Sequence, residues 1–267
     1  MKSFKGQTLS WEWREGVVEV TLDHAPANEI GTLMVADLEK LVAAIPAIAT
    51  ETSACIFTSA RPQGFSAGGD LREMYQSAMK TSAKARVAEV RRFLRRIHAV
   101  GNAIDTAPFV TIAAVHGICF GGGFELALMC DIIVADKMAR FAFPELRLGF
   151  IPGFGGIPRL KRDTPNSFAR EMLFTGRTVN AARLQALAVV SQLAGEGEAL
   201  RVARSIASQI TKYDAETRKA AKKFLKPIPK GELKGEIEIF CKLFNRPTVL
   251  ESLKKFVESS DTMPYLP

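Results

Sequence analysis

His116-Gly117-Ile118-Cys119-Phe120-Gly121-Gly122-Gly123-Phe124-Glu125 is the stretch that decides how this chain is read. A glycine triplet interrupts an apolar run. A lone glutamate then opens the next apolar run, Leu126-Ala127-Leu128-Met129-Cys130. A charge among apolar residues is costly unless it is paired or used. A second glutamate, Glu145, stands in the equally apolar Phe143-Pro144-Glu145-Leu146. Two half-buried carboxylates beside glycine-rich turns point to acid/base chemistry next to a backbone anion site.

Working outward, residues 109–115 read as an apolar strand entering the triplet, and the segment carrying Glu125 as a helix leaving it. The same order recurs earlier. Residues 54–58 read as a buried strand, Gly64-Phe65-Ser66-Ala67-Gly68-Gly69-Asp70 as a glycine loop, and residues 71–76 as a helix-like segment. Gly68 and Gly69 let the backbone bend sharply and approach a ligand closely. Amides exposed at such loops bind anions. Two loops offering one N–H each to a single oxygen would stabilise the oxyanion or enolate of a thioester carbonyl. Either loop alone also fits an ordinary tight turn. Neither contains G-x-G-x-x-G, and the Walker-type phosphate loop is absent from the sequence.

Burial raises a carboxylate pKa, and a neighbouring carboxylate raises one member of a pair further. A pair of that kind can hold a water, deprotonate it and deliver a proton elsewhere. Pro144 keeps a helix from running through Glu145.

The remaining pattern is α/β. Residues 9–22 read as two short strands with a turn near Glu15-Gly16, and residues 33–45 as a helix. A long basic helix is expected over 82–102 and a third buried strand over 131–135. After about Arg159 the strand signal fades. Helices are expected over 168–174, 181–187, 196–211, 215–225, 232–244 and 249–257. Strands alternating with helices imply a mainly parallel sheet.

The 267 residues, 47% of them hydrophobic, suffice for a full core. The uncharged run 107–124 contains Pro108, His116 and glycines, so it does not read as a membrane span. The N-terminus carries no apolar secretory core, so export is not expected. Cys55, Cys119, Cys130 and Cys241 show no metal spacing and suit reduced thiols in a cytoplasmic compartment. His116 reads as a structural histidine, and His24 and His98 as peripheral.

The net charge of +8 attracts polyanions: nucleic acid, phosphorylated cofactors or an acidic carrier protein. Lys80, Lys84, Arg86, Arg91, Arg92, Arg95 and Arg96 fall together on the expected basic helix. Lys222, Lys223, Lys226, Lys230 and Lys234 form a second group.

Further segments extend the pattern: Pro26-Ala27-Asn28, Cys130-Asp131, Thr175-Gly176-Arg177, and Glu145-Leu146-Arg147-Leu148-Gly149-Phe150-Ile151-Pro152-Gly153-Phe154-Gly155-Gly156. Together with the two glycine loops, and in this order along nearly the whole chain, they resemble the crotonase superfamily, also called the enoyl-CoA hydratase/isomerase family. The resemblance implies a repeated ββα spiral core over 1–195 and a helical C-terminal trimerisation region over 196–267. It implies acyl-CoA thioester substrates, a homotrimer or hexamer, and no metal or redox cofactor, coenzyme A being part of the substrate. Gly69 and Gly122 match the two oxyanion donors. Glu125 and Glu145 match both catalytic glutamates of true hydratases. Ala67, Gly68, Gly69, Asp70, Leu71 and Arg72 match the coenzyme A path, with Gly121 and Gly122 beside it and Ala27 assisting.

Two positions depart from the family pattern. Ile157-Pro158 replaces a small polar residue followed by Gln, so Ile157 cannot cap the next helix. Phe154 stands where a small residue is usual. With Phe120, Phe124, Phe143 and Phe150 it would crowd the acyl end, although most of these rings read as core.

The leading expectation is reversible hydration of an enoyl-CoA. The alternatives are a dehydratase or decarboxylase acting on substrate held by an acyl carrier protein, an isomerase, or a thioester hydrolase. RNA binding through the basic helix is a reading of a different class. It is disfavoured because Phe93 is the one aromatic interleaved there.

Overall fold

The computed structural model describes residues 2–259. The chain opens with strands β1 (Ser3–Lys5), β2 (Leu9–Arg14) and β3 (Val17–Leu22), then helix α1 (Thr32–Ile48). Three units of similar build follow. The first is β4 (Ala54–Ser59), β5 (Gly64–Ser66), α2 (Leu71–Lys80) and α3 (Ala83–Asp105). The second is β6 (Val110–Val115), β7 (Ile118–Phe120) and α4 (Gly122–Met129). The third is β8 (Ile132–Asp136), β9 (Arg140–Ala142), a 3₁₀ turn at Glu145–Leu148, α5 (Gly156–Asp163) and α6 (Asn166–Thr175). After β10 (Val179–Asn180), α7 (Ala181–Ala186) and β11 (Gln192–Ala194), the chain ends in α8 (Ala199–Ile210), α9 (Ala215–Leu225), α10 (Lys230–Phe244) and α11 (Pro247–Glu258).

Each unit gives its first strand to one sheet and its second to another. The larger sheet runs β1-β2-β3-β4-β6-β8-β11 and the smaller β10-β9-β7-β5. From β3 to β11 the larger sheet is parallel, and β5, β7 and β9 are parallel in the smaller. This is the repeated ββα spiral that the resemblance implies.

Side chains alternate across the larger sheet, as the strand period demands. Val18, Val20, Cys55, Phe57, Ala113, Val115, Ile133 and Ala135 face the main core. Ala54, Ile56, Ile112, Ala114 and Val134 face the other way, onto Ala199, Ala203 and Ala207 of α8. Small residues on α8 let the helix lie close to the strands. Helix α10 packs on α3 and α11 packs on α2, so the C-terminal helices close over the first glycine loop and its helices.

The expected elements are present with small shifts at their ends. The fading of strands after Arg159 needs correction: β10 and β11 lie there, with two and three residues. Strands that short show no period-2 pattern. The short strands β5, β7 and β9 hide inside glycine and motif segments for the same reason. Among the described residues, no helix is long and apolar enough to cross a membrane.

Candidate functional site

The smaller sheet brings both glycine loops to one place. Gly69 forms an isolated parallel bridge with Ile30, made by the Gly68 carbonyl (2.7 Å) and the Asp70 N–H (3.2 Å). Gly69's own N–H therefore faces away from Ile30. Gly122 is the first residue of α4, where a helix leaves its N–H groups without partners of their own. A Cβ built on Gly122 would stand 3.2 Å from the Gly69 nitrogen, and one built on Gly68 would stand 3.1 Å from the Gly122 nitrogen. The two amide nitrogens thus lie close together beside a helix N-terminus, where negative charge is favoured.

Asn28 holds this arrangement from below. Its side chain donates to Ser59 Oγ (2.8 Å) and to the Phe65 carbonyl (3.0 Å), and it accepts from the His24 N–H (2.7 Å). Ala67 N–H donates to the Ala27 carbonyl (2.9 Å), so these two predicted residues are neighbours. Asp70 caps α2 by accepting the Glu73 N–H (2.8 Å). Leu71 packs partly buried against the core, while Arg72 is exposed and donates to the Val257 carbonyl of α11 (3.0 Å).

Glu125 and Glu145 both lie at this centre. Gly121, with φ +47°, carries the chain from β7 into α4, and a Cβ there would overlap Glu145 Oε1. Glu125 is 1% exposed, and its Oε1 accepts two N–H bonds, from Phe154 and from Gly156 (both 2.7 Å). Gly156 leaves room for it, since a Cβ there would overlap Glu125 Cγ. Burial pushes Glu125 up to about 8, reinforced by Glu236, and the Gly156 and Phe154 amides only partly offset this. Burial, with Glu125 beside it, also raises Glu145 well above the carboxylate range. Among the described residues, Glu145 Oε2 has no hydrogen-bond partner.

Phe154 covers the paired amides. A Cβ on Gly122 would overlap its ring, and one on Gly69 would meet Cζ at 3.6 Å. The ring also packs on Phe93 of α3, with centroids 5.7 Å apart. Phe93 in turn lines a cavity of about 270 Å³ with Ile30, Met74, Val90, Phe240 and Phe244. Of the other phenylalanines expected near the acyl end, Phe124 and Phe143 pack on each other at a tilt in the core and Phe150 packs on Phe240. Phe120 is half-buried.

Three residues were missed or misplaced by sequence reasoning. His98, expected at the periphery, is buried, and its Nε2 lies 2.8 Å from the Gly153 carbonyl. Since a carbonyl only accepts, Nε2 carries the proton. Glu236 of α10 is a third buried carboxylate, and its Oε1 accepts the Gly155 N–H (2.6 Å). Its signal was readable, because it shares a helical face with Leu233, Ile237 and Phe240. Arg159 is wholly buried and donates from Nε to Asp105 Oδ2 (2.7 Å). His116 is the structural residue expected, bonded through Nε2 to the Arg61 carbonyl (2.9 Å).

The two basic groups are also corrected. Lys80 ends α2 and does not lie on α3. Arg86 is tied to the Ala78 carbonyl and Asn245, Arg91 pairs with Glu238, and Arg96 pairs with Glu39. Lys222 and Lys226 are turned inward to Asp131, and Lys226 also to Asp105. Four of the twelve cations, Arg91, Arg96, Lys222 and Lys226, are thus paired with carboxylates within the fold, while Lys80, Lys84, Arg92 and Arg95 are exposed.

The family model described as Enoyl-CoA hydratase/isomerase matches residues 12–263. An Arabidopsis thaliana protein named "Probable enoyl-CoA hydratase 2, mitochondrial" is 34% identical over 250 residues, 91% of this chain and 79% of its own length. The "2,3-dehydroadipyl-CoA hydratase" of Escherichia coli is 34% identical over 215 residues, covering 80% of this chain and 79% of its own. The crystal structure of an enoyl-CoA hydratase from Bacillus anthracis superposes with a TM-score of 0.75 at 27% identity, covering 94% of this chain and 96% of that one. Motifs, spiral topology and relatives agree, and the chain belongs to the enoyl-CoA hydratase/isomerase family.

Proposed function

We propose that this protein adds water reversibly across the 2,3 double bond of an enoyl-CoA thioester. One observation carries the reading: two buried carboxylates, Glu125 and Glu145, converge with the paired Gly69 and Gly122 amides. In this reading the thioester carbonyl lies on the two amides. Glu125 acts in its ionised form, which the Phe154 and Gly156 N–H groups favour, and water bound there gives it a proton while the water oxygen bonds to C3. The electron pair of the double bond moves onto the carbonyl oxygen, and the amides hold the resulting enolate. Glu145, kept protonated by burial, then delivers its proton to C2. Exchange with solvent moves the proton gained by Glu125 back to Glu145, and the thioester stays intact throughout.

The Phe154 ring stands between the amides and the Phe93-lined cavity. A thioester reaches the amides when that ring turns aside, so Phe154 limits the bulk accepted next to the reacting carbons. Ala27, Ala67 and Gly68, brought together at the loop edge, would border the coenzyme A path.

A trimer or hexamer belongs to the same proposal. Phe224 and Leu225, adjacent on α9, are 87% and 76% exposed, which supports a surface covered in the assembly. Four buried free thiols support a reducing compartment.

The test is mass spectrometry of enoyl- and 3-hydroxyacyl-CoAs incubated with the protein in oxygen-18 water. Label in the C3 hydroxyl is the expected result. Label in a free carboxylate would replace hydration with thioester hydrolysis, and an unchanged panel would refute the reading.

A further inference from the structure

The turn Gly153–Gly156 is gripped from two sides. On one side Glu125 Oε1 takes the Phe154 and Gly156 N–H groups. On the other, Glu236 Oε1 takes the Gly155 N–H between them, and His98 Nε2 donates to the Gly153 carbonyl. The Arg159 guanidinium closes the grip by donating to the Gly155 carbonyl (3.0 Å). The turn leads directly into α5, whose first residue is Gly156 and whose cap residue, Gly155, has no side chain. The two remote carboxylates hold the amides that enter the helix, where its positive end favours negative charge.

We propose that Glu236 and His98 are positioning residues that clamp the 153–156 turn, fixing the amides that orient Glu125, and that the Glu236 charge acts on Glu125 across that turn. The clamp rests on the hydratase reading for its consequence but not for its geometry. Glu236 is 4% exposed, and among the described residues its Oε2 has no hydrogen-bond partner. The groups that face it are His98 of α3 (3.5 Å from Nε2 to Oε1), Glu125 of α4, Glu145 of the 3₁₀ turn and Arg159 of α5. The Glu236 carboxylate raises Glu125, after burial the second cause of that shift. Neutral Gln keeps an acceptor for Gly155 N–H and removes the charge. Leu removes both.

The test uses Glu236→Gln, Glu236→Leu and His98→Leu in the full-length protein. Infrared titration of the Glu125 carboxyl band, assigned with Glu125→Gln, reads the charge effect without turnover. In Glu236→Gln the band should titrate about one unit or more lower than in wild type, and the acidic limb of kcat/KM should move down with it. In Glu236→Leu and His98→Leu, amide exchange over 153–157 should accelerate and kcat should fall about 10-fold or more with KM little changed. If the Glu125 band stays in place in folded Glu236→Gln and exchange is unchanged in the Leu variants, the clamp is refuted. If no acyl-CoA is turned over by wild type, the hydratase reading fails while the infrared and exchange results still decide the clamp.

Discussion

Two clusters of buried charge lie close together in this molecule, and they are built on opposite plans. Asp105, wholly buried, accepts from Arg159 Nε (2.7 Å), pairs with Arg162 (3.2 Å) and pairs with Lys226 (3.0 Å). Asp131 shares Lys226 and takes Lys222 (2.8 Å). Burial alone would raise Asp105, but Arg159, Lys226 and Arg162 outweigh it and hold the carboxyl low. The second cluster, Glu125, Glu145 and Glu236, has amides and a neutral histidine around it. Burial lowers the His98 pKa, and it raises all three glutamates. Compensated charge pins helices α3, α5 and α9 together. Uncompensated carboxylates are raised towards neutral pH, so one can serve ionised while another keeps its proton, which suits acid/base chemistry. Arg159 touches both clusters, through Asp105 and through the Gly155 carbonyl.

The largest expected effect tests the first cluster. Asp105→Ala leaves three cations facing a buried void and should cost about 3–5 kcal/mol in denaturant unfolding. A loss under ~1 kcal/mol would show that the cations find other partners and that the cluster is not structural. Next come Glu125→Gln and Glu145→Gln, each expected to cut turnover by ~10²-fold or more, about 2.7 kcal/mol of barrier. Coenzyme A affinity should hardly change. Full activity in either variant would sink the two-carboxylate mechanism and with it the contrast.

The third prediction is one of sign. Glu236 titrates near 8 in the folded chain, above its ordinary value of 4.5. The native state then binds more protons than the unfolded state between those values. Stability from this group is present below about 4.5 and is lost as pH rises towards 8. Asp105 is held below its ordinary 3.8, so its contribution is present above that value and is lost as pH falls through its lowered folded value. Unfolding free energies of wild type and Glu236→Gln from pH 5 to 8 should diverge by about 3 kcal/mol, the variant gaining towards alkaline pH. Parallel curves would mean that the acidic cluster is compensated after all.

The smallest expected effect concerns selectivity. Phe154→Leu removes ring bulk against Gly122 and should shift kcat/KM by about 10-fold towards bulkier enoyl-CoAs. An unchanged preference ratio across chain lengths would place the limiting contact elsewhere, along the Phe93-lined cavity.

Much of this was legible from the chain. The two glycine turns announced themselves because a side chain at Gly68, Gly121, Gly122 or Gly123 would overlap its neighbours, and Glu125 because a charge interrupted an apolar run. Strand and helix periods located β2, β3, β4, β6 and β8 and most helices. Strands of two or three residues carry too little pattern to be seen, so β5, β7, β9, β10 and β11 emerged from pairing alone. The basic residues misled in the opposite way. Their number was visible, but the pairing of Arg91 with Glu238 or Lys226 with Asp105 spans 147 and 121 positions of chain (238 less 91; 226 less 105).

By itself, the sequence determined the two glycine loops and singled out the two glutamates, because each is written in local pattern, turn chemistry and an isolated charge, and the order of its motifs carried the resemblance that implied the family and its spiral core. Tertiary structure alone decided which carboxylates share a site, which cations are silenced and what stands over the amides. Glu236 meets Gly155 across 81 positions, and His98 meets Gly153 across 55. Burial and hydrogen bonding depend on what packing brings near, and packing is set by the whole chain at once.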